Sequence, residues 1–116
     1  YRHEPHGTTL LTPDGVATDL AAGKRRFLLD VRQPEELSSR GYIRGAANIP
    51  VGDVAKRIDE LPKNLDQPIV TICESGVRSA HAALYLRAYG YNDVKNLEYG
   101  IRGWRTEGFP VTYPGQ

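Results

Sequence analysis

Residues 68–89 have the sequence PIVTICESGVRSAHAALYLRAY, in which an apolar run, a short loop and a helical pattern follow one another. The run over 68–73 is short, mostly apolar and rich in β-branched residues, which is typical of a strand buried on both faces. The pattern over 79–89 predicts a helix, with Gly90 as its C-terminal cap. A strand that leads directly into a helix is the repeating unit of a parallel sheet.

The rest of the chain continues this alternation on both sides of the stretch. Three further strands are predicted, over 27–31, 46–49 and 94–97. The remaining helices are predicted from Thr12 to Gly23, over 34–38, through Val54, Ile58 and Leu61 as far as Pro62, and over 100–106. This order predicts an α/β fold with a mainly parallel sheet. Sites in such sheets form beyond the carboxyl ends of the strands, which directs attention to the loop after Cys73.

Length and composition limit the classes of protein that fit. The chain has 116 residues, of which 40% are hydrophobic and 25% charged, as in a soluble globular domain. We expect one domain over residues 8–111, with flexible ends at 1–7 and 112–116. A net charge of +1 supplies no field that would attract nucleic acid or an anionic membrane. The polar start and the lack of a long apolar run predict a cytoplasmic protein. Because methionine is absent, we expect a processed chain or a piece of a larger protein.

Cys73 is the single cysteine in the sequence, which excludes an internal disulfide and a multi-cysteine metal site. We expect neither a metal nor a cofactor. A lone cysteine is often only a small buried hydrophobe. Here it ends a strand and precedes a loop with Gly76 and Arg78 and the start of a helix. The N–H groups of such a loop and of the helix N-terminus favour a thiolate and bind an anion, so the pattern indicates a reactive nucleophile.

Four segments in order resemble the motifs of rhodanese-like domains. The loop Cys73-x-x-Gly76-x-Arg78-Ser79 resembles the active-site loop of that family. The other matching segments are Leu28-Leu29-Asp30-Val31-Arg32 with Pro34, Glu35 and Glu36, then Gly41-Tyr42-Ile43-x-Gly45-Ala46 with Asn48-Ile49-Pro50, and Gly100-x-x-Gly103-Trp104 with Gly108-Phe109-Pro110-Val111. Tyr42 stands where the family usually has histidine, a position whose role we take to be structural.

The resemblance implies a fold and an activity. The fold is α/β and rhodanese-like, with a five-stranded mainly parallel sheet flanked by helices on both faces. The activity is that of a sulfurtransferase: a sulfane sulfur passes from thiosulfate or a persulfide to Cys73, and then to cyanide, a thiol or a sulfur-accepting protein. The loop residues Glu74, Ser75, Gly76, Val77 and Arg78 would bind the substrate, mainly through backbone N–H groups. Asp30 matches the acid of a neighbouring strand end and is a further candidate.

Two alternative functions fit the same residues, and one acidic residue bears on the choice of donor. The chain could be a sulfur-carrier module of a larger protein, or a phosphatase or arsenate reductase with a similar Cys…Arg loop. Loops of the latter kind enclose one residue more than the four between Cys73 and Arg78. The shorter ring suits a single sulfur atom better than a tetrahedral oxyanion. The acidic Glu74 is expected to repel the thiosulfate dianion, which would favour a different donor.

Overall fold

The computed structural model describes residues 10–115, and these form five strands, four α-helices and two short 3₁₀ helices. The strands are β1 (Leu10–Leu11), β2 (Phe27–Asp30), β3 (Ala47–Asn48), β4 (Ile69–Ile72) and β5 (Val94–Leu97). The helices are α1 (Pro13–Ala21), α2 (Pro34–Arg40), α3 (Val77–Tyr89) and α4 (Gly100–Thr106). Within the described range, no helix is both long enough and apolar enough to cross a membrane.

The strands form one sheet in the order β1-β5-β4-β2-β3, and every neighbouring pair is parallel. The expected α/β fold with a five-stranded sheet is therefore confirmed, and the sheet is entirely parallel. The central strand β4 lies between β2 and β5, with Asp30 opposite Ile72 and Asn96 opposite Thr71. The carboxyl ends of these three strands consequently meet at one edge of the sheet, where Cys73 follows β4.

Both faces of the sheet are covered, as the alternation of side chains along each strand requires. One face packs its apolar side chains against α3 and the segment before β4, in a cluster of Leu29, Val31, Ile49, Val54, Leu61, Ile69, Cys73, Ala82, Ala83, Leu86, Tyr91 and Val94. The opposite face packs against α1 and α4, in a cluster of Val16, Leu28, Ile43, Val70, Ile72, Leu97, Ile101 and Trp104. Cys73 thus points to the α3 face, two residues beyond Thr71 and four beyond Ile69.

The prediction of a helix through Val54, Ile58 and Leu61 is wrong. This segment forms two short 3₁₀ helices, Val51–Asp53 and Ile58–Glu60, joined by a turn. Arg57 has φ −110° and ψ 26°, outside the α-helical region, and interrupts any continuous helix. The apolar side chains at 54 and 61 are nevertheless buried. The apolar residues have helical spacing because they are buried against the core. Tertiary contacts determine the backbone conformation here, and the helical period of the sequence does not.

The two ends of the described chain differ from expectation. No pattern predicted β1, because two residues at a sheet edge are too few to show a period. Thr112, assigned to a flexible end, is buried and exchanges two backbone hydrogen bonds with Tyr42, at 2.8 and 2.9 Å. The expected flexible segment 1–7 lies outside the described residues, and the limits of the domain stay a prediction.

Candidate active site

Cys73 is the centre of the candidate active site. Its side chain follows β4 and is only 1% exposed. The sulfur accepts a hydrogen bond from the backbone N–H of Gly76, with N and Sγ 3.0 Å apart. The Ser79 hydroxyl oxygen lies 3.3 Å from the same sulfur. The sulfur is therefore held beneath its loop, with donors placed where a negative charge on it would be stabilised.

The loop turns into α3 at Gly76, which caps the helix. Gly76 has φ 106°, a backbone conformation that a residue with a side chain adopts only under strain. Helix α3 has 13 residues, and the N–H groups of its first turn have no acceptor within the helix. Because the loop is so short, this helix end lies at the Cys73 thiol and contributes partial positive charge there.

Helix α4 fixes the other side of the loop. The N–H groups of Ile101 and Arg102 donate to the carbonyl oxygens of Cys73 and Glu74, at 2.9 and 3.0 Å. Gly100 has φ 59°, and a Cβ atom at this position would overlap both of those carbonyl oxygens. The glycine of the Gly100-x-x-Gly103-Trp104 motif is thus required by the close approach of α4 to the backbone of Cys73 and Glu74.

Arg78 forms a bidentate ion pair with Glu36 of α2, both N···O distances being 2.7 Å. The Arg78 guanidinium lowers the pKa of Glu36 to about 2, and Glu36 in turn raises the pKa of Arg78. This pair joins α2 to the start of α3 and thereby positions the loop. A contact of Arg78 with an anionic donor stays a prediction, since the guanidinium edge is occupied by Glu36.

The lowered pKa of Glu36 makes the stability of the protein depend on pH. The native group stays ionised down to about pH 2, whereas its ordinary pKa is 4.5. Its stabilising contribution is therefore complete above about pH 5 and disappears as the pH falls towards 2. We expect Glu36→Gln to unfold at lower urea concentration than the wild type at pH 7, and the difference to shrink steadily between pH 5 and 2.

The matched control for this experiment is Glu35→Gln, which changes an exposed carboxylate in the same helical turn. It should shift the urea midpoint little at any pH. A difference between Glu36→Gln and wild type that stayed constant from pH 7 to pH 2 would contradict the ion pair as described.

The Glu74 side chain lies among three arginines. Its carboxylate is within 3.4 Å of Arg32 and Arg40 and within 3.2 Å of Arg105, and its side chain is 9% exposed. We expected this carboxylate to repel an anionic donor. That expectation loses its basis, because three guanidinium groups compensate the charge.

Asp30 is fully buried at the end of β2 and is bound to Arg32. The Arg32 side chain donates to both carboxylate oxygens, at 2.9 and 2.7 Å, and its backbone N–H donates to one of them at 3.1 Å. The same guanidinium reaches the Gly41 carbonyl oxygen at 2.9 Å and Glu74. Substrate contact by Asp30 stays a prediction. The geometry describes a buried ion pair that links two of the motifs to the loop.

A buried polar network lies beneath the sulfur, and its side chains, those of Thr71, Ser79 and Asn96, have no role predicted from the sequence. The Ser79 hydroxyl donates to Oδ1 of Asn96, and Nδ2 of Asn96 donates to the Gly76 carbonyl oxygen at 3.0 Å. The Thr71 hydroxyl donates to the Ser79 carbonyl oxygen at 2.9 Å. One signal was available: Asn96 is an amide near the carboxyl end of a strand that is otherwise largely buried, and sites in parallel sheets form beyond that end.

The loop reaches the surface through its exposed residues Ser75 and Val77. Two grooves, with volumes of about 590 and 650 Å³, are both lined by Tyr99 and Ser75. Tyr99 is 66% exposed and Val77 is 64% exposed. Both grooves therefore border the loop, whereas the Cys73 side chain itself is almost fully buried.

Comparison with known proteins assigns the family. The rhodanese-like domain family matches residues 12–107 of the chain. A sulfurtransferase from Allochromatium vinosum is 36% identical over 101 residues, which cover 87% of this chain and 92% of the relative. The thiosulfate sulfurtransferase GlpE from Pseudomonas putida is 31% identical over 104 residues, covering 90% and 87%.

A solved structure agrees with this assignment. The rhodanese-like domain protein from Staphylococcus aureus superimposes with a TM-score of 0.77 at 33% sequence identity, covering 90% of this chain and 98% of that chain. The chain belongs to the rhodanese-like domain family and is homologous to sulfurtransferases. The resemblance noted in the sequence is therefore confirmed.

Proposed function

We propose that this protein is a sulfurtransferase that carries a sulfane sulfur as a persulfide on Cys73. The observation that carries the proposal is the thiol at the end of β4, held by the Gly76 N–H in a loop that encloses only four residues before Arg78. Membership of the family and the homologous sulfurtransferases support it.

In the first half of the reaction the Cys73 thiolate attacks the outer sulfur of a donor such as thiosulfate. A bond forms between Sγ and the outer sulfur of thiosulfate. The bond between that outer sulfur and the sulfonate sulfur breaks, and its electron pair leaves with sulfite. The negative charge of the thiolate moves to the new outer sulfur. The N–H groups of residues 74–78 and the N-terminus of α3 are suited to bind that charge.

In the second half an acceptor removes the outer sulfur. Cyanide attacks it, the C–S bond of thiocyanate forms, and the S–S bond breaks with its electron pair left on Sγ. The thiolate is thereby regenerated and atoms and charges balance without an oxidant or reductant. A thiol acceptor reacts in the same way and leaves as a persulfide.

Thiosulfate is a suitable donor, because Arg32, Arg40 and Arg105 compensate the negative charge of Glu74. Arg78 braces the loop from the Glu36 side and adds positive charge near the sulfur. The single free thiol suits a reducing compartment, and we propose the cytoplasm.

The experiment measures thiocyanate formation from thiosulfate and cyanide, with hydrolysis of an aryl phosphate by the same sample as the competing activity. We expect sulfur transfer and no phosphate hydrolysis. One glycine inserted between Gly76 and Val77 should sharply reduce sulfur transfer, because the ring of N–H groups would no longer fit one sulfur atom.

The matched control inserts a glycine after Gly23, an exposed turn residue with open space around it. It should leave sulfur transfer near the wild-type rate. Robust phosphate hydrolysis by the wild type, with no thiocyanate formed, would contradict the proposed function.

A further inference from the structure

Ser79 and Asn96 form a hydrogen-bonded pair directly beneath the reacting sulfur. Ser79 is fully buried in the first turn of α3, and Asn96 is 5% exposed on β5. The Ser79 hydroxyl has two acceptors within reach, Oδ1 of Asn96 and Sγ of Cys73. A hydroxyl carries one proton, so it can donate to only one of them at a time.

Asn96 has a fixed orientation, which decides where this hydroxyl lies. Its Nδ2 donates to the Gly76 carbonyl oxygen at 3.0 Å, so its Oδ1 faces Ser79. A serine in a helix otherwise turns its hydroxyl to a backbone carbonyl one turn earlier. By accepting from Ser79, Asn96 keeps the hydroxyl oxygen 3.3 Å from the sulfur.

We propose that Asn96 is a positioning residue for sulfur release: it holds the Ser79 hydroxyl where that group can turn onto Cys73 Sγ as the sulfur becomes a thiolate. The inference rests on the proposed persulfide cycle. When the acceptor takes the outer sulfur, the electron pair of the S–S bond stays on Sγ. The Ser79 hydroxyl then rotates, so that its proton points to the charge on Sγ and no longer to Asn96 Oδ1.

The two half-reactions make opposite demands on this contact. Release of the sulfur creates negative charge on Sγ, so a donor at Ser79 accelerates it. Loading consumes the charge on Sγ, so the same donor gives no help to the attack on thiosulfate. A hydrogen bond to an ionised group is worth enough to change a rate at least about tenfold. Loss of this contact should therefore slow discharge without slowing loading, whereas loss of a merely structural contact would slow both.

The experiment measures the two steps separately in single turnovers, with loading by thiosulfate followed as sulfite release and discharge by cyanide followed as thiocyanate. In Ser79→Ala and in Asn96→Ala we expect discharge to slow at least about tenfold and loading to keep its rate or increase. Ser79→Thr, which keeps the hydroxyl, should restore discharge to within a few-fold of wild type.

A double-mutant cycle tests whether Asn96 acts through Ser79. The variant with both alanines should discharge as slowly as Ser79→Ala alone, because the hydroxyl that Asn96 positions is already gone. Thermal midpoints of all variants verify folding, and Ser79→Ala alone keeps the test decisive if Asn96→Ala unfolds.

The outcomes are distinct. Equal slowing of loading and discharge, or additive defects in the double variant, would overturn the inference and make Asn96 a structural support of the loop. Wild-type discharge by Ser79→Ala would overturn it as well. A wild-type protein that releases no sulfite from thiosulfate and forms no persulfide would instead contradict the proposed function itself.

Discussion

Replacing Cys73 by serine is expected to reduce thiocyanate formation from thiosulfate and cyanide by at least about 1,000-fold. Cys73 is the only thiol in the sequence, so no second cysteine can take over its role. A serine hydroxyl is not ionised at neutral pH and forms no stable bond to a sulfane sulfur. The buried position accepts a side chain of similar size, so the fold should remain intact.

Circular dichroism and the urea midpoint of Cys73→Ser provide the folding control. A second control is Ser75→Ala, which changes an exposed side chain of the same loop and leaves its backbone N–H groups in place. This variant should retain most of the activity. Sulfur transfer by Cys73→Ser within tenfold of the wild-type rate would mean that another group carries the sulfur.

Asp30→Asn is expected to destabilise the protein by about 3 kcal/mol or more. Removing one partner of a buried ion pair costs about 3–5 kcal/mol, because the charge that remains in the interior loses its closest counter-charge. Asp30 and Arg32 are both fully buried, and Arg32 would retain only the Gly41 carbonyl oxygen and the more distant Glu74. The measurement is the free energy of unfolding from urea titration.

The matched control is Asp53→Asn, which removes the carboxylate of a solvent-exposed pair with Lys56 at 3.3 Å. Such pairs contribute less than about 1 kcal/mol, so its unfolding free energy should stay close to that of the wild type. Equal unfolding free energies for Asp30→Asn and Asp53→Asn would show that the Asp30–Arg32 pair does not stabilise the fold as its burial implies.

Much of the fold could be predicted from the sequence because most elements carry their own signal. The strand β5 and the helix α4 have the predicted bounds, and β4 and α3 differ only by a few terminal residues. The segment from Val54 to Leu61 could not be predicted, because its apolar side chains have helical spacing while its backbone follows the surface of the core. Strand β1 has too few residues to carry a pattern.

The loop around Cys73 could be predicted from local sequence, whereas the side chains that surround it could not. Cys73, Gly76 and Arg78 are close together in the chain, so their arrangement follows from one loop. Their partners come from distant segments: Glu36 binds Arg78, and Asn96 binds Ser79. The arginines around Glu74 come from the segment after β2, from α2 and from α4, so the sequence alone does not show that its charge is compensated.

The most direct test of the central claim is intact-protein mass spectrometry after incubation with thiosulfate and removal of excess reagent. We predict a mass increase of one sulfur atom, located on the peptide that contains Cys73, and its loss when cyanide is added. Cys73→Ser should show no increase. A folded wild-type protein that gains no sulfur from thiosulfate or from a persulfide donor, or that gains it on a peptide without Cys73, would contradict the account.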